Sequence, residues 1–327
     1  MDERPVVVLA GGVGGARLAH GLQAHLGEDL VVIVNTADDL ERHGLEIWPD
    51  HDTVLYTLAG LDDRERGWGL RDETWAAMDG LERLGEATWF RLGDRDLATH
   101  LLRTEQLRSG RRGTEVALDL RRRLRVAATI LPMTDARVRT IVRTDDGWLP
   151  FQDYFVRLGQ APEVREVRFE GIDSARPSPE VLEALARTRV IVVAPSNPFV
   201  SVGPILALPG LTDAIEQARG GGAVVVGVSP IVGGRALKGP ADRMLTSLGG
   251  EASALGVATH YGGLLDGFVI DDVDADQAPR IEALGPAVAV TDSIMRDDAA
   301  RARLAAVTLE HASRLRTRRA RSEAGGR

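Results

Sequence analysis

Two stretches of this chain gather carboxylates in a pattern that could bind a divalent cation. Asn35-Thr36-Ala37-Asp38-Asp39 closes an apolar run, and Pro49-Asp50-His51-Asp52-Thr53 follows after a short loop. In an extended loop Asp50 and Asp52 point the same way, and paired carboxylate oxygens suit a hard ion such as magnesium. Each piece also has a plainer reading when taken alone. An isolated Asp-x-Asp is often a solvated acidic loop whose first Asp caps a helix. A single Asp after the second strand of a nucleotide fold is usually a ribose ligand, which makes a nicotinamide dehydrogenase the rival for Asp38.

A glycine cluster, Gly11-Gly12-Val13-Gly14-Gly15, precedes both stretches. Between a strand and a helix, backbone N–H groups and the helix N-terminus can face an anion there. Four glycines in five positions exceed the one or two that a tight turn needs, which favours phosphate or diphosphate. Neither standard fingerprint fits. The dinucleotide pattern needs a small residue where Arg17 stands, and the P-loop needs Lys and a hydroxyl residue where Ala16 and Arg17 stand. Pro195-Ser196-Asn197-Pro198 and Ser229-Pro230-Ile231-Val232-Gly233-Gly234 offer short polar tips, although loop capping accounts for either one alone. In the charged segment Leu92-Gly93-Asp94-Arg95-Asp96-Leu97-Ala98-Thr99-His100, His100 shares a helical face with Asp96 four residues earlier and pairs with it more readily than it acts in catalysis. Asp271-Asp272-Val273-Asp274-Ala275-Asp276 reads as a solvated turn.

The elements that must position these residues alternate. Val6 to Ala10 and Leu30 to Val34 are buried-strand runs, with helical spacing at Leu18, Leu22 and Leu26 between them, and together they make a right-handed β-α-β unit. Similar strand runs recur at Val190 to Ala194, Ala223 to Val228, Gly267 to Ile270 and Ala287 to Val290. Helical segments near Pro179 to Arg187, Thr212 to Arg219 and Pro240 to Leu248 separate most of them. The expected fold class is α/β, a Rossmann-like doubly wound and mostly parallel sheet, over a single domain of residues 1–312. Residues 60–170 read as one inserted cap, with helices near Asp72 to Leu84, Asp96 to Arg108 and Glu115 to Arg123. A β-hairpin of Val138 to Thr144 and Trp148 to Val156, turning at Asp145-Asp146-Gly147, completes it.

Composition narrows the chemistry. The 327 residues contain no cysteine, so thiolate nucleophiles, thiolate metal sites and disulfides are excluded. The basic residues are all arginine except Lys238, and the net charge is −8. Residues 313–327 hold six Arg and one Glu and read as a frayed, basic tail, leaving −13 on the remainder. Such an acidic body argues against grasping a nucleic-acid backbone. The N-terminus lacks the flanks of a signal peptide, and no apolar run approaches about 18 residues, so a cytoplasmic protein with no membrane span is expected.

In order along the chain, Gly-Gly-Val-Gly-Gly-Ala-Arg-Leu, Asn-Thr-Ala-Asp-Asp, Pro-Asp-His-Asp-Thr-Val-Leu-Tyr, Leu-Gly-Asp-Arg-Asp-Leu-Ala-Thr-His, Phe-Gln-Asp-Tyr, Pro-Ser-Asn-Pro and Val-Ser-Pro-Ile-Val-Gly-Gly resemble the 2-phospho-L-lactate transferase family of coenzyme F-420 biosynthesis. The resemblance runs from about Val6 to Leu309. It implies a magnesium-dependent transfer from a guanosine diphosphate derivative to the ribityl hydroxyl of the deazaflavin Fo (7,8-didemethyl-8-hydroxy-5-deazariboflavin), with GMP released. The acid carried by the donor is phospholactate, phosphoenolpyruvate or 3-phosphoglycerate, and the sequence does not choose among them. By this resemblance Asp38 and Asp52 hold the metal, and Asp50 supports them or orients the hydroxyl. Asp52, Arg91, Asp94 and His100 meet Fo. Gly11, Gly12, Gly14, Gly15 and Asn35 meet the diphosphate, Ser196 and Asn197 face the guanosine, and the protein is a homodimer. The family often shows Thr and Lys where Val13 and Arg17 stand. A nucleotide-sugar-binding regulatory protein of similar fold is the non-enzyme alternative.

Overall fold

The structure is a computed structural model that describes Arg4 to Gly325. The chain opens with strand β1 (Val6–Ala10), helix α1 (Gly12–Leu26) and β2 (Leu30–Val34), then a small hairpin of β3 (Leu40–Arg42) and β4 (Leu45–Ile47), and then α2 (Pro49–Leu58). Three helices follow, α3 (Ala76–Arg83), α4 (Asp96–Arg108) and α5 (Gly113–Arg123), leading to β5 (Thr129–Pro132). Next come β6 (Arg139–Thr144), β7 (Gly147–Pro150) and β8 (Glu166–Glu170), then α6 (Pro179–Arg187), β9 (Val190–Val193), α7 (Gly203–Ala207) and α8 (Leu211–Gly220). The last third carries β10 (Val224–Val228), the short pair β11 (Ile231–Val232) and β12 (Arg235–Ala236), α9 (Ala241–Ser247), α10 (Ala254–Tyr261), β13 (Gly267–Ile270), α11 (Ala278–Glu282), β14 (Ala287–Val290) and α12 (Asp298–Gly325).

Seven strands form the central sheet in the order β14-β13-β10-β9-β1-β2-β5, every pair parallel. Both faces are covered, so the strands are apolar without alternation. Val6, Val8 and Ala10 of β1 pack with Leu18 and Leu22 of α1 and with Leu304 and Ala305 of α12. Val7 and Leu9 pack on the opposite face with Val181 and Leu185 of α6 and Ile215 of α8. The order reverses between β1 and β9, the position at which doubly wound sheets open a crevice at the carboxyl ends of their strands. The α/β reading therefore holds.

Three expectations need correction. The second hairpin strand does not run from Trp148 to Val156, because β7 ends at Pro150 and Asp153–Arg157 is helical. The cap is not one insertion over 60–170, because β5 lies inside that range and pairs with β2 as the edge strand of the central sheet, Val32 opposite Ile130. The α-helical part and the antiparallel β7-β6-β8 sheet are separate excursions on either side of it. Ser313 onward is not frayed either. It continues α12, with Arg319 Nη1 donating to Ala223 O at 3.2 Å, and residues 326–327 lie outside the described residues. Among the described residues no single helix is long and apolar enough to cross a membrane.

The crevice is held narrow by backbone contact. A Cβ on Gly14 would overlap Pro195 O, and one on Gly15 would lie 2.7 Å from Ser196 Oγ. Gly11 N donates to Ser196 Oγ at 3.3 Å while that hydroxyl donates back to Gly11 O at 2.7 Å. Gly14→Ala is therefore expected to force the first turn of α1 away from the loop at Pro195 at a cost of about 2–3 kcal/mol, read as a lower urea midpoint with unchanged slope.

Candidate active site

Asp50 and Asp52 do not lie in an extended loop. They occupy the first turn of α2, which begins at Pro49, a residue whose fixed φ and missing N–H suit the first helical position. Two residues along a helix is about 200° of rotation, so the two carboxylates diverge instead of pointing together. That divergence sorts the aspartates into two groups.

The first group faces the glycine turn. Asn35 Nδ2 donates to Asp50 Oδ2 at 3.0 Å and to Val200 O at 3.2 Å, and Gly12 N–H also bonds the Asp50 carboxylate. Burial nevertheless raises Asp50 to about 6. Asp38 is buried beside it. Desolvation and the negative charge of Asp50 push the Asp38 carboxyl well above its ordinary range, and burial does the same to Asp39. One oxygen on each, Asp38 Oδ1 and Asp39 Oδ1, has no hydrogen-bond partner. Gln152 Nε2 donates to Asp38 O at 3.0 Å, which ties the Phe151-Gln152-Asp153-Tyr154 segment to this loop.

The second group is built around Arg103 of α4, a side chain with no exposed surface. Its guanidinium lies 4.5 Å from the Trp48 ring centroid and donates to Asp52 Oδ1, to His100 Nδ1 at 3.1 Å and to Glu46 O at 3.2 Å. His51 Nδ1 stands 3.3 Å from Asp52 Oδ1, and His100 Nδ1 stands 3.7 Å from Asp52 Oδ2. Burial works against charge on Asp52, yet Arg103 and the two histidines outweigh it and hold that carboxyl well below the usual range. Asp96 meets His100 Nε2 at 3.2 Å and accepts from Tyr56 Oη at 2.5 Å, so the expected His100–Asp96 pair is present.

Other expected site residues serve the scaffold in this geometry. Asp94 accepts from Ala76 N and Ala77 N, both at 2.9 Å, and from Thr74 Oγ1 at 2.6 Å, which caps the start of α3. Arg91 is exposed, 4.7 Å over the Trp75 ring and 3.8 Å from Asp79. The Ser196 hydroxyl is taken up by Gly11, and Asn197 Oδ1 accepts from Phe199 N at 2.9 Å. Of the glycine turn, Gly11, Gly14 and Gly15 are required by packing, Gly11 against Asp50 and Ser201, while Gly12 has a positive φ and faces Asp50. Val13 and Gly14 offer first-turn N–H groups of α1, which have no intrahelical acceptor.

A family model described as 2-phospho-L-lactate transferase CofD matches residues 6–307. The chain belongs to this family. A phosphoenolpyruvate transferase of Streptomyces griseus is 45% identical over 318 residues, covering 95% of this chain and 99% of the relative. One from Kitasatospora aureofaciens is 43% identical, covering 95% and 98%. A 2-phospho-L-lactate transferase of Methanosarcina mazei is 38% identical, covering 89% and 94%. A solved Bacillus halodurans protein of the UPF0052 family is 16% identical with a TM-score of 0.64, covering 94% of this chain and 99% of its own, and shows the likeness of fold. Membership in a transferase family displaces the dehydrogenase and regulatory readings.

Sequence reasoning missed Arg103, although it lies three residues after His100 on the same helix face as Asp96 and His100. Removing one partner of a buried ion pair leaves an uncompensated charge. Arg103→Met in this family member is therefore expected to cost about 3–5 kcal/mol by urea denaturation, and adding Asp52→Asn is expected to restore much of it. Asp50 behaves oppositely. Its carboxyl is raised in the fold, so the burial penalty is full above about pH 6 and is relieved as pH falls toward the 3.8 of an unperturbed Asp. Metal-free Asp50→Asn should exceed the wild type in stability at pH 8, keep roughly half of that advantage at pH 5 and lose it only below about pH 4, read from paired urea titrations.

Proposed function

We propose that this chain transfers a phosphoenolpyruvate-type phospho-acid group from a guanosine diphosphate derivative to the ribityl hydroxyl of Fo, a step in coenzyme F-420 biosynthesis that releases GMP. The observation that carries this reading is the set of buried aspartate oxygens without hydrogen-bond donors, Asp38 Oδ1, Asp39 Oδ1 and Asp52 Oδ2, at the switch point beside a glycine turn. Phosphoenolpyruvate is preferred as the acid because the relatives at 43–45% identity bear that name, while the phospholactate enzyme stands at 38%.

Magnesium fits the donor set. The charge of Asp50 raises Asp38, burial raises both, and both present hard oxygens, so these two would hold the ion, with Asp39 beside them. Asp52, already neutralised by Arg103, is the weaker candidate than the sequence suggests. When bound, the ion supplies charge neutralisation at the diphosphate. The rest falls to the chain. First-turn N–H groups of α1 hold phosphate oxygens in line, and Asp52 Oδ2, ionised and free of other donors, orients the acceptor hydroxyl. That hydroxyl has a pKa not far below about 15.7, against about 3.9 for an ordinary Asp, so its proton passes to Asp52 Oδ2 only as the new bond forms. A bond forms between the ribityl oxygen and the phosphorus of the phospho-acid. The bond from that phosphorus to the bridging oxygen breaks, and GMP departs with the oxygen.

Incubation with Fo, magnesium and each of the three guanylylated acids should yield GMP and a more acidic deazaflavin, fastest with the phosphoenolpyruvate donor. Absence of both products with all three donors would overturn the proposal. Asp38→Asn should lower kcat by at least about 100-fold and abolish the rise in Tm that magnesium gives the wild type. An unchanged magnesium effect would move the ion to other ligands.

A further inference from the structure

A cavity of about 440 Å³ lies apart from the four aspartates, between the β7–β8 connection and α9. Two motifs that the transfer chemistry leaves unused meet there: Tyr154 comes from Phe-Gln-Asp-Tyr and Gly234 from Val-Ser-Pro-Ile-Val-Gly-Gly. Gly233 N donates to Asp274 Oδ2 at 3.0 Å, which fixes the glycine loop at the cavity's edge. Ligand pockets usually measure about 300–1,000 Å³ and are apolar with a few placed polar groups. This one has both properties.

Tyr154 is only 1% exposed, and its ring packs with Val164, Val200 and Met244. Its hydroxyl nevertheless makes no hydrogen bond among the described residues, although a buried tyrosine normally finds a partner. Other polar groups of the wall are taken up. Arg243 Nη2 donates to Gln160 Oε1 at 3.2 Å, and Glu163 meets Arg165 at 3.0 Å. Asp242 is different: it accepts from Arg243 N at 2.9 Å, and among the described residues no cation pairs with it. The cavity also adjoins the phosphate end of the crevice. Ser196 bonds Gly11, the next residue places Asn197 Nδ2 3.4 Å from Met244 Sδ, and Met244 is part of the cavity wall.

We propose that this cavity is the base subsite of the donor nucleotide and that Asp242 and Tyr154 select guanine there. A carboxylate only accepts, and among the common bases guanine alone offers two neighbouring donors on one edge, N1–H and the 2-amino group, with a carbonyl oxygen beside them. Asp242 takes the two donors, the Tyr154 hydroxyl donates to the carbonyl, and the Met244 thioether packs on the ring. This rests on the transferase reading above, which leaves the base without a place because Ser196 and Asn197 are taken up by the scaffold.

The test is calorimetric binding of GDP and inosine diphosphate with magnesium and without acceptor, so that no turnover is needed. Inosine diphosphate differs only in lacking the 2-amino group, and the wild type should bind GDP about 10-fold or more tightly than it. Asp242→Ala should bring the two ligands within twofold of each other, whereas a merely structural role would weaken both alike. Tyr154→Phe should weaken both by about 3–10-fold, because both bases keep the carbonyl. Ala252→Trp fills the cavity from its wall. It should weaken GDP binding by about 100-fold while the urea midpoint stays near that of the wild type. A GDP preference untouched by Asp242→Ala, no loss with Tyr154→Phe, or wild-type GDP affinity in a folded Ala252→Trp would each overturn the assignment. A protein that shows all three effects and yet releases no GMP from the guanylylated donors would count against the transfer reaction alone.

Discussion

Four aspartates share the carboxyl end of this sheet, with one fully buried guanidinium, Arg103, among them and one half-buried guanidinium, Arg139, acting on Asp39 and Asp38. Arg103 cannot neutralise all four, and its hydrogen bond goes to Asp52. This shortage of positive charge sets the character of the site. A carboxylate with a buried partner stays ionised and fixed, while those without one are pushed toward protonation unless a further cation arrives. Coulomb attraction across a dry interior is strong, and an uncompensated charge there is costly. The protein therefore holds part of its own stability in reserve against ligand binding, a trade seen wherever a binding site must be ready before its ligand is present.

Much of the scaffold was legible. The strands Gly267–Ile270 and Ala287–Val290 and the helices Asp96–Arg108 and Pro179–Arg187 stand at the expected residues, because both strands are apolar throughout and the helices keep a clear 3.6-residue spacing. What failed had local causes. Thr129–Pro132 is a four-residue edge strand that ends on proline, and it follows arginine-rich α5, so it reads as part of the cap although it closes the sheet. The arginines of 313–321 look like a solvated tail, but they ride on a helix whose other face is tied to the sheet through Ala312 and Arg319.

The site was legible as a list and not as an arrangement. Clustering of Asp38, Asp39, Asp50 and Asp52 is evident from their types and spacing. Their division is not, because it depends on whether residues 50–52 are extended or helical, and on a guanidinium 51 positions from Asp52. The glycines show the same limit. Gly11 and Gly12 lie against an acidic side chain at the crevice, whereas Gly14 and Gly15 let the first turn of α1 touch the loop at Pro195 and Ser196, and a glycine looks alike in both uses.

Helix α1 carries the first turn on which the site depends, and its apolar face meets α12 at the far end of the chain, where Gly21 lets the backbone of Arg301 approach so closely that no side chain would fit. The first helix of the fold is thus covered by α12. Until α12 has been made, the side chains Leu18 and Leu22 have only part of their eventual neighbours, and the crevice beside Gly11 cannot have its final shape. A chain cut short before α12 holds every aspartate of the site and lacks the helix that sets α1 in place.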